Sequence, residues 1–71
     1  MGNLEKVLTL PERIEGMNRA MKVSELAKLL SLSRQRVYEL IDSGQLPALR
    51  LGGAIRLDST LVATWLRKNA A

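Results

Sequence analysis

A chain of 71 residues with neither Cys nor His has to hold itself together by aliphatic packing. Domains this small bury a limited share of their surface, and many compensate with disulfides or a Cys/His metal site. Both devices are closed to this chain. Phe is absent as well, and one Trp and one Tyr are the only aromatic side chains, so the core must be assembled from Leu, Ile, Val and Ala. The same gaps narrow the chemistry. Without imidazole or thiol, and with seven scattered carboxylates and no base beside any Ser or Thr, no nucleophile–base pair can be drawn. The expectation is a protein that is not an enzyme and takes no cofactor, metal or small-molecule ligand. Gly52-Gly53 lacks the flanking pattern of a nucleotide loop. The apolar run Val7–Leu10 ends at Pro11, too short for a signal peptide or a membrane span. With no Cys, a reducing, cytoplasmic setting is expected.

Charge divides the chain. Residues 1–21 carry Lys6, Arg13 and Arg19 against Glu5, Glu12 and Glu15 and cancel, whereas residues 22–71 carry eight Lys/Arg against four acids, the whole of the net +4. A basic unit behind a neutral leader suits a polyanionic partner. The leader, residues 1–20, shows no strong periodicity. It reads either as partly ordered chain or as a short helix over Pro11–Glu15, with Ile14 packing on the domain or on a partner.

Residues 21–69 read as one domain. Val23, Leu26, Ala27, Leu29 and Leu30 have helical spacing. Ser31-Leu32-Ser33 interrupts it, with Ser33 a natural N-cap for a second helix from Arg34 to Asp42 or Ser43, stopped by Gly44. Two short helices joined by a three-residue turn make a helix-turn-helix pattern. Pro47 then keeps the chain out of helix, and Leu49, Leu51, Ile55 and Leu57 alternate with Arg50 and Arg56 around Gly52-Gly53, the mark of a β-hairpin. If the alternation sets the register, a three-residue loop, Gly52 to Ala54, places all four apolar residues inward and both arginines outward. Asp58 caps a last helix, Ser59–Lys68, whose stripe of Leu61, Val62, Trp65 and Leu66 is expected to close the core, Trp65 being its largest anchor. The fold class is therefore mainly α with a small β-hairpin wing: helix-turn-helix, hairpin, helix.

The stretch Met21–Leu66 resembles the excisionase-type DNA-binding family, relatives of the MerR-type winged helices. The resemblance rests on Val23-Ser24-Glu25-Leu26-Ala27-Lys28-Leu29-Leu30, Leu32-Ser33-Arg34, Val37-Tyr38-Glu39-Leu40-Ile41, Ser43-Gly44-Gln45-Leu46-Pro47-Ala48, Arg50-Leu51-Gly52, Ile55-Arg56-Leu57 and Trp65-Leu66. It implies a second helix in the major groove and a wing against the backbone or minor groove. Three positions depart from the family: Gly53-Ala54 replaces a basic wing tip, Ser31 a glycine in the turn, and Lys22 a capping Ser or Thr.

On that basis the candidate DNA-binding residues are Ser33, Arg34, Gln35, Arg36, Tyr38, Glu39, Arg50 and Arg56. Gln35 suits adenine, Arg36 guanine and Glu39 the amino group of cytosine. Arg34 can reach a phosphate or pair with Glu25 or Asp42. Tyr38 can rest its ring on the first helix and offer its hydroxyl to phosphate. Ser33 and the amides beyond it suit an anion, and Arg50 with Arg56 would clamp phosphate from a shared outer face. Without the resemblance, the same polar helix face reads as an ordinary solvated one. The expected partner is double-stranded DNA, joined by a recombinase or a second copy on an adjacent half-site, in an architectural recombination factor or a small transcription regulator. The alternative is a protein-interaction module on the same fold, favoured by the Gly53-Ala54 tip and the two acids on the second helix.

Overall fold

Helix ends are set here by local hydrogen bonds, seen in a computed structural model that describes residues 8–69. Residues 1–7 of the leader lie outside the described residues. Thr9 opens α1 (Leu10–Met17). Its hydroxyl accepts from the Glu12 amide at 3.3 Å while the Glu12 carboxylate accepts from the Thr9 amide at 2.9 Å, a reciprocal capping box with Pro11 in the first turn. Asn18, in the left-handed region at φ 48°, ends the helix, and a short strand β1 (Ala20–Met21) follows. Ile14 of α1 is fully buried in the common core.

α2 (Val23–Leu30) starts behind Lys22, an N-cap with no acceptor of its own. Glu25 supplies the missing half, its carboxylate accepting from the Lys22 amide at 3.3 Å. At the other end the Ser31 and Leu32 amides close on the carbonyls of Lys28 and Ala27, with Ser31 at φ 56°. This conformation crowds Cβ against the following carbonyl, a strain that glycine escapes. Ser31→Gly is therefore expected to stabilise the fold by about 1 kcal/mol, raising the thermal midpoint by several degrees. A midpoint that stays or falls would mean that the turn carries no such strain.

α3 (Arg34–Asp42) is capped by Ser33, whose hydroxyl accepts from the Arg36 amide at 3.0 Å. Gly44, at φ 80°, stops it, and the Gly44 and Gln45 amides close on the carbonyls of Ile41 and Leu40. β2 (Leu49–Leu51) and β3 (Ala54–Asp58) then form the hairpin, and β3 runs without a loop into α4 (Ser59–Asn69). Asp58 caps α4, accepting from the Thr60 amide at 2.8 Å. β1 pairs antiparallel with the free edge of β3, giving a three-stranded sheet in the order β1-β3-β2. Ser59 ties that edge to α4: its buried hydroxyl accepts from the Arg19 amide at 3.1 Å, and its own amide donates to the Arg19 carbonyl. The result is mainly helical with a small antiparallel sheet, the arrangement of a winged helix-turn-helix.

The hairpin register differs from the sequence expectation. Leu51 faces Ala54, Arg50 faces Ile55 and Leu49 faces Arg56, so the loop is the two residues Gly52-Gly53. Gly52 takes φ 62° at the first central position, the place where a type II′ turn needs a glycine; such a turn matches the twist of the strands. Turn chemistry thus overrides apolar alternation. Leu57 is buried against Met21 and Ile55 packs on the core, whereas Leu49 and Leu51 stand on the outer face, 45% and 58% exposed. Arg50 shares the inner face with Ile55, and Arg56 lies on the other, so the two arginines do not form the outer pair that alternation suggested.

The core is also anchored differently. Ile14, Met21, Leu26, Leu46 and Leu57 are its largest fully buried side chains, while Trp65 is partly buried at its margin and Leu61 is exposed. α1 packs on α4, so Ile14 closes the core together with Val62, the fully buried member of the α4 stripe.

Candidate nucleic-acid interface

α3 buries Val37, Leu40 and Ile41 and leaves its first turn, Arg34-Gln35-Arg36, in solvent. Helical spacing puts Arg34 and Tyr38 one above the other, and both line a cleft of about 300 Å³ between α3, the start of α2 and the wing. Lys22, Val23 and Ser24 form one wall and Gly53–Arg56 the other. A second cleft of about 440 Å³, lined by Ser24, Ala27, Lys28, Ser31, Leu32 and Arg34, runs along the turn between α2 and α3. Arg34 and Ser24 belong to both, so Arg34 stands at the junction.

The electrostatics of these clefts follow from which cations already have partners. Arg67 pairs with Glu15 at 2.6 Å, Arg36 with Glu39 at 3.2 Å, Arg50 approaches Asp42 at 3.8 Å, and Arg19 is bound to Glu25. Arg34 therefore pairs with neither Glu25 nor Asp42, because other arginines hold both acids. Lys22, Lys28, Arg34 and Arg56 form no ion pair among the described residues, and no acid lines either cleft, although Lys22 feels the nearby Glu25 charge. Among the described residues, the Arg56 guanidinium donates only to the Ile55 carbonyl, at 2.9 Å. Four cations without an ion pair among the described residues thus border the exposed start of α3.

The Arg19 guanidinium, helped by the Lys22 amide, pulls the Glu25 carboxyl down to about 2 from its usual 4.5. A depressed carboxylate contributes stability that is present above its unfolded value and is lost as pH falls through the folded one. The thermal midpoint is therefore expected to fall between pH 5 and pH 2, and Glu25→Gln to flatten that part of the profile. An equal fall in both proteins would assign the acid sensitivity elsewhere.

Residues 20–70, from β1 through α4, match the family model described as a helix-turn-helix domain. The chain belongs to the helix-turn-helix domain family. α1 lies outside the matched residues of this helix-turn-helix domain. Two relatives, from two strains of Mycobacterium tuberculosis, are each named, provisionally, as a DNA-binding protein. Both are 38% identical over 42 residues, which is 59% of this chain and 54% of each relative. The chain thus matches about half the length of these relatives. No solved structure matches it at a comparable level.

Within the helix-turn-helix domain the expected residues fall into three places. Arg34, Tyr38 and Arg56 meet in the first cleft, where Tyr38 stands with Val23 and Ser24 of α2. Ser33, Gln35, Arg36 and Glu39 lie on the exposed side of α3, Ser33 engaged as its cap and Arg36 joined to Glu39. Arg50 stands apart, on the opposite sheet face from Arg56 and beside Asp42. Lys22 and Lys28 belong to the two clefts although a wheel of the second helix alone does not reveal them. Their signal was the position of two lysines at the two ends of the preceding helix, Lys22 as its N-cap beside the wing and Lys28 in its last turn beside the turn.

Proposed function

We propose that this chain binds double-stranded DNA sequence-specifically, with α3 in the major groove and the two clefts on the phosphate backbone. The observation that carries the reading is the set of four cations with no ion pair among the described residues, Lys22, Lys28, Arg34 and Arg56, around the exposed N-terminal turn of α3. Membership of the helix-turn-helix family and the names of the Mycobacterium tuberculosis relatives support it. In this reading Gln35, Arg36 and Glu39 face base edges, while Lys22, Lys28, Arg34 and Arg56 hold phosphates, helped by Tyr38 and the amides beyond Ser33. Arg50 contributes less, since Asp42 already offsets its charge. A single module of this kind buries only about 600–1,000 Å² on DNA, so a neighbouring copy or a recombinase on an adjacent half-site would add the remaining affinity. In this reading the chain serves as an excisionase-like architectural factor or a small transcription regulator.

Salt titration of duplex binding tests the proposal. Four phosphate contacts should give a slope of log K against log salt of about −3.5. Binding that ignores salt, or no duplex binding at all, would instead favour a protein-interaction module, for which the exposed Leu49 and Leu51 on the outer sheet face offer an apolar surface.

A further inference from the structure

Arg36 and Glu39 form an ion pair on the exposed side of α3, with Nη1 3.2 Å from Oε1 and both side chains more than half exposed, at 55% and 54%. The pair lines neither cleft. It presents a donor and an acceptor side by side to whatever α3 faces. Only one guanidinium nitrogen is engaged, so Arg36 keeps further N–H groups and Glu39 keeps lone pairs.

We propose that Arg36 and Glu39 read one G·C base pair as a unit, Arg36 donating to guanine O6 and N7 while Glu39 accepts from the amino group of the paired cytosine. The inference rests on the DNA-binding reading above. In the major groove, guanine O6 and cytosine N4 are the two ends of one Watson–Crick hydrogen bond, so they lie about 2.9 Å apart. That spacing is close to the 3.2 Å between Nη1 and Oε1, which sets donor over acceptor and acceptor over donor. A carboxylate entering a duplex meets phosphate repulsion, and Arg36 offsets this by neutralising it.

The geometry ranks all four base pairs. Reversal to C·G sets the carboxylate against guanine O6 and the guanidinium against an amino group, which is repulsive on both sides. A·T in the orientation that replaces guanine by adenine has the same defect. T·A keeps the favourable order, with thymine O4 beside adenine N6, but puts a methyl group where guanine has N7, so Arg36 loses its second acceptor. The expected order is G·C, then T·A, then the two reversed pairs.

The test uses a duplex selected by the full chain from a randomised pool, with each position then replaced by all four base pairs. One position should follow the stated order, with G·C bound roughly tenfold or more tighter than C·G. Arg36→Ala and Glu39→Gln should relax preference at that same position and no other, and 7-deazaguanine there should weaken binding to the level of T·A. Both side chains are exposed, so folding is not at stake in either variant. The proposal is overturned if the two variants relax different positions, if Glu39→Gln leaves the profile unchanged, or if salt-dependent binding shows no preference at any position. In the last case DNA binding itself survives. A wild-type chain with no salt-dependent duplex binding would instead remove the underlying reading.

Discussion

Replacing Lys22, Arg34 and Arg56 together by Gln is expected to lower affinity for every duplex by roughly two to three orders of magnitude near 0.1 M salt. The slope of log K against log salt should shrink by about three in the same variant, since each lost phosphate contact retains nearly one counterion. Sequence preference should persist, because these side chains sit in the cleft and not on the base-facing side of α3. The fold should tolerate the change: Lys22 and Arg34 are exposed, and removing like charges from one cleft relieves repulsion. Arg50→Gln is the internal comparison. Its guanidinium already approaches Asp42, so its removal should change the slope by less than one unit. Undiminished affinity in the triple variant would take the cleft out of the binding surface and turn attention to the exposed leucines of the hairpin.

The second large effect concerns a residue outside the matched family region. Ile14→Ala is expected to cost about 2–5 kcal/mol, comparable to the whole stability of a domain this small. Ile14 is fully buried, and the Arg67–Glu15 pair holds α1 and α4 together at 2.6 Å. Chemical denaturation measures the cost. If the variant unfolds within about 0.5 kcal/mol of the parent, α1 is an appendage and the folding unit begins at β1; a large loss would make α1 part of that unit.

Much of the architecture was legible because it is written in caps. Ser33, Gly44 and Asp58 mark helix ends by side-chain and backbone chemistry that acts over three residues, and each does so at the expected place. What was not legible depends on distant partners. β1 is two residues with no alternation to display, and only pairing with β3 makes it a strand. Leu49, Leu51 and Leu61 look like core residues by periodicity, but they stand exposed among the described residues, while Ile14 and Met21 are fully buried. For the hairpin, two local rules disagreed, and the glycine turn prevailed over apolar alternation. The candidate site was partly visible for the same reason: α3 could be read on its own wheel, whereas Lys22 and Lys28 acquire meaning only when α2 is set beside the turn and the wing.

The two-residue tip of that wing has a consequence for how such a domain can change. Among the described residues, and apart from each glycine's chain neighbours, no heavy atom comes within 4 Å of where a side chain at Gly52 or Gly53 would begin, so the ribbon ends in open space. Its base is held by the pairing of Leu49 with Arg56 and by β1 beyond it. Adding one residue to each strand at the tip would move the turn outward by about 3.3 Å and leave every existing pair in place. Reach and base reading are therefore separable traits in this scaffold. A longer wing carrying a lysine at its end could be grafted on without altering α3, while substitutions on α3 could retune the operator without altering how far the wing extends.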